Sequence, residues 1–206
     1  MRYDGVADRA AGDRHPAPIS MHRAALLAYL DRYAAAWPAE EELVQRFRCF
    51  IQTHPDCLSR GCVAGHITAS AWIVDAAGQA VLLTHHKKLN KWLQLGGHVD
   101  DDVGVEGACL REAQEESGMS QFCFIRWRAG PLTPLDLDVH EIPARGAAPA
   151  HQHWDVRFLL RAKAGQKLAI SDESNQLEWA PSAALLDYTR EESVLRMHRK
   201  ATEVLR

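Results

Sequence analysis

Glu112, Glu115 and Glu116 fall within five consecutive residues of the run Arg111-Glu112-Ala113-Gln114-Glu115-Glu116-Ser117-Gly118. On a helix Glu112 and Glu116 lie one turn apart on the same side. Glu115 is offset by one position, and its side chain can swing toward the same point. Carboxylates placed so close repel one another, and a divalent cation removes that repulsion. Mg²⁺ takes oxygen ligands at about 2.0–2.1 Å and keeps part of its shell for waters and phosphate oxygens. The chemistry open to this trio is therefore metal-assisted attack of water on phosphorus. The ordinary alternative is a solvated acidic helix face.

Other residue types bear on the same chemistry. The glycines in Gly96-Gly97-His98-Val99-Asp100 let a main-chain carbonyl face a metal where a side chain would obstruct it. Arg111 can brace a neighbouring carboxylate or carbonyl, and the small Ala108 and Ala113 let the helix approach a sheet closely. His98 is placed either to contact a substrate phosphate or metal-bound water, or to hydrogen-bond its own turn. Lys87, Lys88 and Lys91 form a basic turn from which Lys87 is a candidate for a diphosphate. Arg157 can approach a phosphate or neutralise Asp155. His151 and His153 face one side if they lie on a strand. With His140 they make a loose metal-type group, for which hydrogen bonding or substrate contact is the expected role rather than a zinc centre. Trp127, Trp154 and Trp179 are packing residues or stacking surfaces for a base.

The elements that must position these residues read as follows. Residues 1–18 lack periodicity and suggest a loose arm, with Ser20 a candidate cap. Ala24, Leu26, Leu27, Leu30 and Tyr33 form the stripe of one helix. Pro38 and Glu40 to Glu42 suit the start of a second, with Leu43, Phe47 and Phe50 on one face and His54-Pro55 breaking it. These helices hold too few residues for a core of their own, so residues 1–60 form an arm and helical extension on a main domain, 61–206.

From His66, Ile67, Ala69, Ala71 and Ile73 alternate with Thr68, Ser70 and Trp72, which predicts a strand, and a turn at 76–78 leads to another at 80–83. Residues 96–102 read as a glycine- and acid-rich loop before a helix at 104–117, which Gly118 ends. Strands are expected at 122–128, 135–142, 154–161 and around Glu178-Trp179, and a helix at the end of the chain. The fold class is α+β.

Composition narrows the function. Of 206 residues, 47% are hydrophobic, enough for a sizeable core. A net charge of −3 argues against a surface built to coat nucleic acid. No extended nucleic-acid surface is expected, and the partner is a small phosphorylated substrate. Five cysteines without a C-x-x-C pair suggest free thiols in a reducing compartment. Zinc on Cys57, Cys62 and His66 lacks a clear fourth ligand. No membrane span or leader is legible, so the cytoplasm is the expected location.

The glycine-to-glutamate run resembles the signature of the Nudix hydrolases, Gly-x5-Glu-x7-Arg-Glu-U-x-Glu-Glu-x-Gly-U, with U a bulky aliphatic residue. Gly97, Arg111, Glu112, Glu115, Glu116 and Gly118 match. Gly65 to Ser70, Trp92 to His98 and His151 to Phe158 extend the likeness to a bacterial subgroup with a helical N-terminal extension.

The resemblance implies an α/β/α sandwich around a mixed β-sheet and cleavage of a nucleoside diphosphate linked to another moiety, using Mg²⁺ or Mn²⁺. It makes Glu115, Glu116 and the Gly97 carbonyl metal ligands, and Glu112 a further ligand or the base acting on water. A later acidic residue often joins such sites; Glu173 is the first candidate and Asp155 the second. A homodimer is compatible with the family. The first signature glutamate is Val103 here, so Arg111 needs another partner: Asp101, Asp102 or Glu106. The rival reading is a non-catalytic nucleotide-binding module with a degenerate Nudix site. Isomerisation of an isoprenoid diphosphate, a second rival, lacks a clearly placed protonating cysteine.

Overall fold

The computed structural model describes residues 21–99, 104–146, 149–171 and 174–206. Ser20, the stretch 100–103 with Asp101, Asp102 and Val103, and Glu173 lie outside the described residues. The two longest strands, β1 (Gly65–Val74) and β7 (His151–Ala162), run parallel, matched from Gly65 against Gln152 to Val74 against Arg161. The remaining ladders are antiparallel. β2 (Ala80–His86) takes the C-terminal end of β1 and carries β3 (Lys91–Leu93) and β8 (Ser174–Pro181). β4 (Leu95–His98) takes the middle of β1, while β5 (Phe122–Phe124) and β6 (Asp136–Ile142) line the far edge of β7. Together these strands form one mixed sheet.

Strand side chains alternate between faces, so one register sorts every residue. Ile67, Ala69, Ala71 and Ile73 of β1 share a face with Trp154, Val156, Phe158 and Leu160 of β7. Three helices cover that face: α1 (Met21–Ala36), α2 (Glu41–Thr53) and α3 (Val105–Ser117). α1 buries Leu26, Tyr29, Leu30 and Tyr33 at the spacing of a single stripe. Phe50 of α2 stacks on Trp154, and Phe47 meets its edge. The extension thus shares one core with the sheet. The opposite face, with Trp72, Val74 and Leu159, is covered by Val194, Met197 and Ala201 of α4 (Glu192–Leu205). The product is an α/β/α sandwich. Among the described residues no helix is long and apolar enough to cross a membrane.

Three expectations change. Gly96 and Gly97 lie in β4 rather than in a loop, because β2 pairs with β1 only at Ile73 and Val74 and leaves an edge whose N–H and C=O groups β4 satisfies. The strand expected at 122–128 stops at Phe124, and the chain turns at 127–129, with Arg128 and Ala129 at positive φ. β7 begins at His151, so His151 and His153 are strand residues on one face.

On the α4 face, between the apolar patch and the N-terminal end of β7, lies a buried ion network. Arg157, 2% exposed, donates to Asp155 at 2.8 Å, Asp136 at 3.1 Å and Asp138 at 3.0 Å. Asp155 also accepts from Thr68 and Ser70 across the parallel pair. Arg196 of α4 joins Asp136 and Asp138, and Lys200 joins Asp136, Glu40 and the Tyr33 hydroxyl. Removing one partner from such a cluster leaves an uncompensated buried charge. Arg157→Met is expected to lower unfolding stability by about 3–5 kcal/mol, read from urea denaturation.

Burial by itself pushes the Asp138 carboxyl up, but the hydrogen bond with His140 and the charges of Arg157 and Arg196 outweigh it. They hold the group well below its ordinary value of 3.8. A carboxyl depressed in the folded state stabilises the protein above its unfolded value, and that contribution fades as pH falls through the folded value. Asp138→Asn should therefore cost about 1.5–3 kcal/mol at neutral pH. The gap to wild type should close only below about pH 4, as measured by thermal melts across an acid series.

Candidate active site

α3 carries the glutamates and owes its position to small residues. Ala108, Cys109 and Ala113 are fully buried, and the Cys109 thiol lies 3.3 Å from the Ser70 carbonyl of β1. Gly118 ends the helix at φ 70°, a left-handed conformation that glycine adopts without a Cβ penalty. The glutamates then stand over β4. Glu116 accepts the Gly96 N–H at 3.1 Å. At Gly97 a Cβ would lie 2.5 Å from Glu112 Oε1 and 2.7 Å from Oε2, so only glycine leaves this carboxylate its place.

Among the described residues Arg111 finds partners in its own helix and on β4. Its Nη1 donates to Glu112 at 2.8 Å and Glu115 at 3.1 Å, and its Nη2 to the His98 carbonyl at 2.8 Å. One guanidinium therefore ties two glutamates to the strand that carries Gly97. Glu106 turns elsewhere, toward the hydroxyl of Tyr29. The Glu112 side chain is 13% exposed and Glu115 61%. Burial raises the Glu112 carboxyl above its ordinary value of 4.5, against the pull of Arg111. A raised carboxyl suits Glu112 to accept a proton, and the open side chain of Glu115 suits it to offer oxygen to a cation.

The structure brings Gly97, Arg111, Glu112, Glu115 and Glu116 together. Lys87 is exposed in the turn between β2 and β3. Arg157 is corrected as a substrate candidate: it is enclosed by Asp136, Asp138 and Asp155, so of its two readings the geometry shows neutralisation. Asp155, the second choice for a late acidic ligand, is likewise engaged by Arg157, Thr68 and Ser70. Of the tryptophans, Trp154 packs on Phe47 and Phe50, and Trp127 meets the edge of Trp37.

The structure adds His66 and His98 to the loose group of His140, His151 and His153. His66 pairs with His153 across β1 and β7, His140 with His153 across β6 and β7, and His98 with Thr68 across β4 and β1. All these side chains, with His151, leave the same face of the sheet. The His66 ring centre lies 4.7 Å from that of His153, 5.2 Å from His151 and 5.0 Å from His98. Burial first, and then the neighbouring imidazoles, lower His66 to about 4 and His153 to about 3. Cys57 and Cys62, the other half of the sequence-level zinc group, are buried thiols raised by desolvation, while His66 sits among the histidines. The sequence grouped His66 with the cysteines rather than with His153, because those two histidines pair only once two strands distant in sequence are laid side by side.

A family model for the NUDIX domain matches residues 65–200. The chain belongs to the Nudix family. With membership comes its activity class, a hydrolase acting on acid anhydrides. The fold is similar to that of a NUDIX-family hydrolase from Clostridium perfringens, at 26% identity and a TM-score of 0.55, over 68% of this chain and 98% of that one. An Ap4A hydrolase from C. elegans aligns at 18% identity and a TM-score of 0.51, covering 68% and 96%. The E. coli dihydroneopterin triphosphate pyrophosphohydrolase aligns at 14% and 0.52, covering 66% and 95%. No curated protein matches the chain.

Gly97→Ala tests the cradle. The atoms nearest the added methyl belong to the far end of the flexible Glu112 side chain, so unfolding stability should change by about 1 kcal/mol or less. Hydrolytic turnover, compared with wild type on any substrate the enzyme accepts, should fall at least about tenfold, a displacement cost of about 1.4 kcal/mol or more.

Proposed function

We propose that this Nudix protein hydrolyses a phosphoanhydride bond in a nucleotide or a nucleoside diphosphate-linked substrate, dependent on Mg²⁺ or Mn²⁺. The observation that carries the reading is the seating of Glu112 against Gly97, with Arg111 tying Glu112 and Glu115 to β4. Hard carboxylate oxygens on one helical turn, beside a strand without a Cβ, suit a hard cation. Bound by Glu115, Glu116 and the Gly97 carbonyl, with Glu112 a further ligand or the base and Glu173 a further candidate ligand, such an ion would neutralise phosphate oxygens and make a bound water more acidic.

The chain's own residues supply the rest. Glu112, raised by burial, takes the proton from the attacking water. Arg111 is a positioning residue: it holds the two carboxylates apart and in register with β4. Glu116, anchored on the Gly96 N–H, keeps its orientation as the site loads. His98 and Lys87 are the remaining candidates for contact with substrate phosphate. The leaving group departs as a phosphate or phosphorylated moiety, so no covalent enzyme intermediate is required. A nucleotide as the substrate extends to this chain the names of similar folds, an Ap4A hydrolase and a dihydroneopterin triphosphate pyrophosphohydrolase.

The experiment is a panel of nucleoside triphosphates, nucleoside diphosphate sugars, dinucleotides and capped RNA ends, with labelled products followed in Mg²⁺ and in Mn²⁺. Glu115→Gln combined with Glu116→Gln should abolish metal-dependent turnover in a protein that still melts cooperatively. Unchanged turnover in the double variant would overturn the carboxylate assignment. Nucleotide binding without any product across the panel would favour the non-catalytic module.

A further inference from the structure

At the N-terminal end of the β1–β7 pair, the sheet face that carries Arg157 presents a cluster of imidazoles. In three of them, His66, His151 and His153, one ring nitrogen of each lies within 4.8 Å of the others. We infer that this triad binds a borderline transition-metal ion of the Zn²⁺ class, at a site separate from the glutamates of α3.

The first support is the state of the buried nitrogens. His66 is 3% exposed, and neither Nδ1 nor Nε2 has a hydrogen-bond partner. Nε2 of His153 is also buried without one. Buried polar atoms are nearly always satisfied, so nitrogens left bare among other imidazoles need a partner. Each neutral imidazole carries one lone-pair nitrogen, and a cation is a partner to which several such lone pairs can donate together.

His151 adds a supporting contact. Its Nδ1 lies 3.0 Å from the Pro149 carbonyl, to which it can only donate. That hydrogen bond leaves Nε2 as the lone-pair nitrogen, the arrangement by which an outer carbonyl orients a metal-binding histidine.

The backbone supplies the geometry. The parallel register sets His66 directly across from His153, and His151 is two residues back on the same strand and face. A tetrahedral ion with bonds of about 2.0–2.1 Å needs nitrogens about 3.4 Å apart. The nitrogens lie within 4.8 Å of one another, so the site requires the rings to turn inward about their side-chain bonds. Three imidazoles leave a fourth position for water or an outside ligand, with His98 and His140 at its margin.

Imidazole selects zinc-like ions, whereas carboxylates suit Mg²⁺. The inference thus stands independently of the phosphoanhydride reading, and the two sites can be told apart. Full-length protein stripped with chelator is dialysed against Zn²⁺ in excess Mg²⁺ and its metal content measured. One tightly held Zn²⁺ per chain is expected, and it should persist in the combined Glu115→Gln and Glu116→Gln variant. His66→Phe, which keeps a ring in the core, and the less buried His151→Gln should each weaken Zn²⁺ at least about tenfold, as loss of ligand orientation does. Co²⁺ loading should give the strong visible bands of a tetrahedral site in wild type and not in His151→Gln. The site is overturned by absence of Zn²⁺ uptake, as expected if waters satisfy the rings. Binding that Mg²⁺ displaces or the glutamate variant removes overturns it too, as does binding unchanged in folded His151→Gln.

Discussion

The parallel pairing of β1 with β7 is the constraint from which the rest follows. Ten matched positions set Ile67, Ala69, Ala71 and Ile73 with Trp154, Val156, Phe158 and Leu160 toward one helical layer, and His66, Thr68 and Ser70 beside His153, Asp155 and Arg157 on the other face. A slip of one residue would turn Arg157 into the aromatic core and Phe158 among the buried aspartates, so the register admits no neighbour. Strands buried on both faces ordinarily read as continuous apolar runs. Here half of one face is polar: the aspartates and Arg157 partner one another, while the rings of His66 and His153 lie against other imidazoles.

The ion network supplies those partners. Arg157 alone answers three aspartates, and Arg196 and Lys200 bring α4 onto the same carboxylates. Lys200 also reaches Tyr33 and Glu40, so the N-terminal extension is tied to the terminal helix through charge as well as through the apolar core. Desolvating so many ions is costly, and clusters of this kind contribute little net stability beside an apolar equivalent. What this network does visibly is join α4, β6, β7 and the extension at one point.

β4 carries the consequence of the register to the candidate active site. Gly97 lies opposite Ala69 and turns its bare Cα to Glu112, while His98 lies opposite Thr68 and turns its ring to His66 and His153. The His98 carbonyl accepts from Arg111. Two chemically different groups, hard carboxylates and borderline imidazoles, therefore stand on the two faces of one short strand.

Much of this was written locally in the sequence. The spacing of Glu112, Glu115 and Glu116 is a property of one helix, Gly118 marks its end, and the alternation after His66 gives a strand, because helical and strand periods act over neighbouring residues. The family resemblance in the run from Gly97 to Gly118 had the same local origin. Tertiary structure decided what depended on distant partners. Gly96 and Gly97 became a strand because β2 left an edge of β1 open. Arg157 neutralises aspartates rather than facing open space, because Asp136, Asp138 and Asp155 meet it from two strands. Arg111, lacking the usual signature glutamate, found its described partners in its own helix and on β4. His66 joined His151 and His153 because two strands separated by most of the domain run parallel in one register, and sequence distance carries no record of which strands lie side by side.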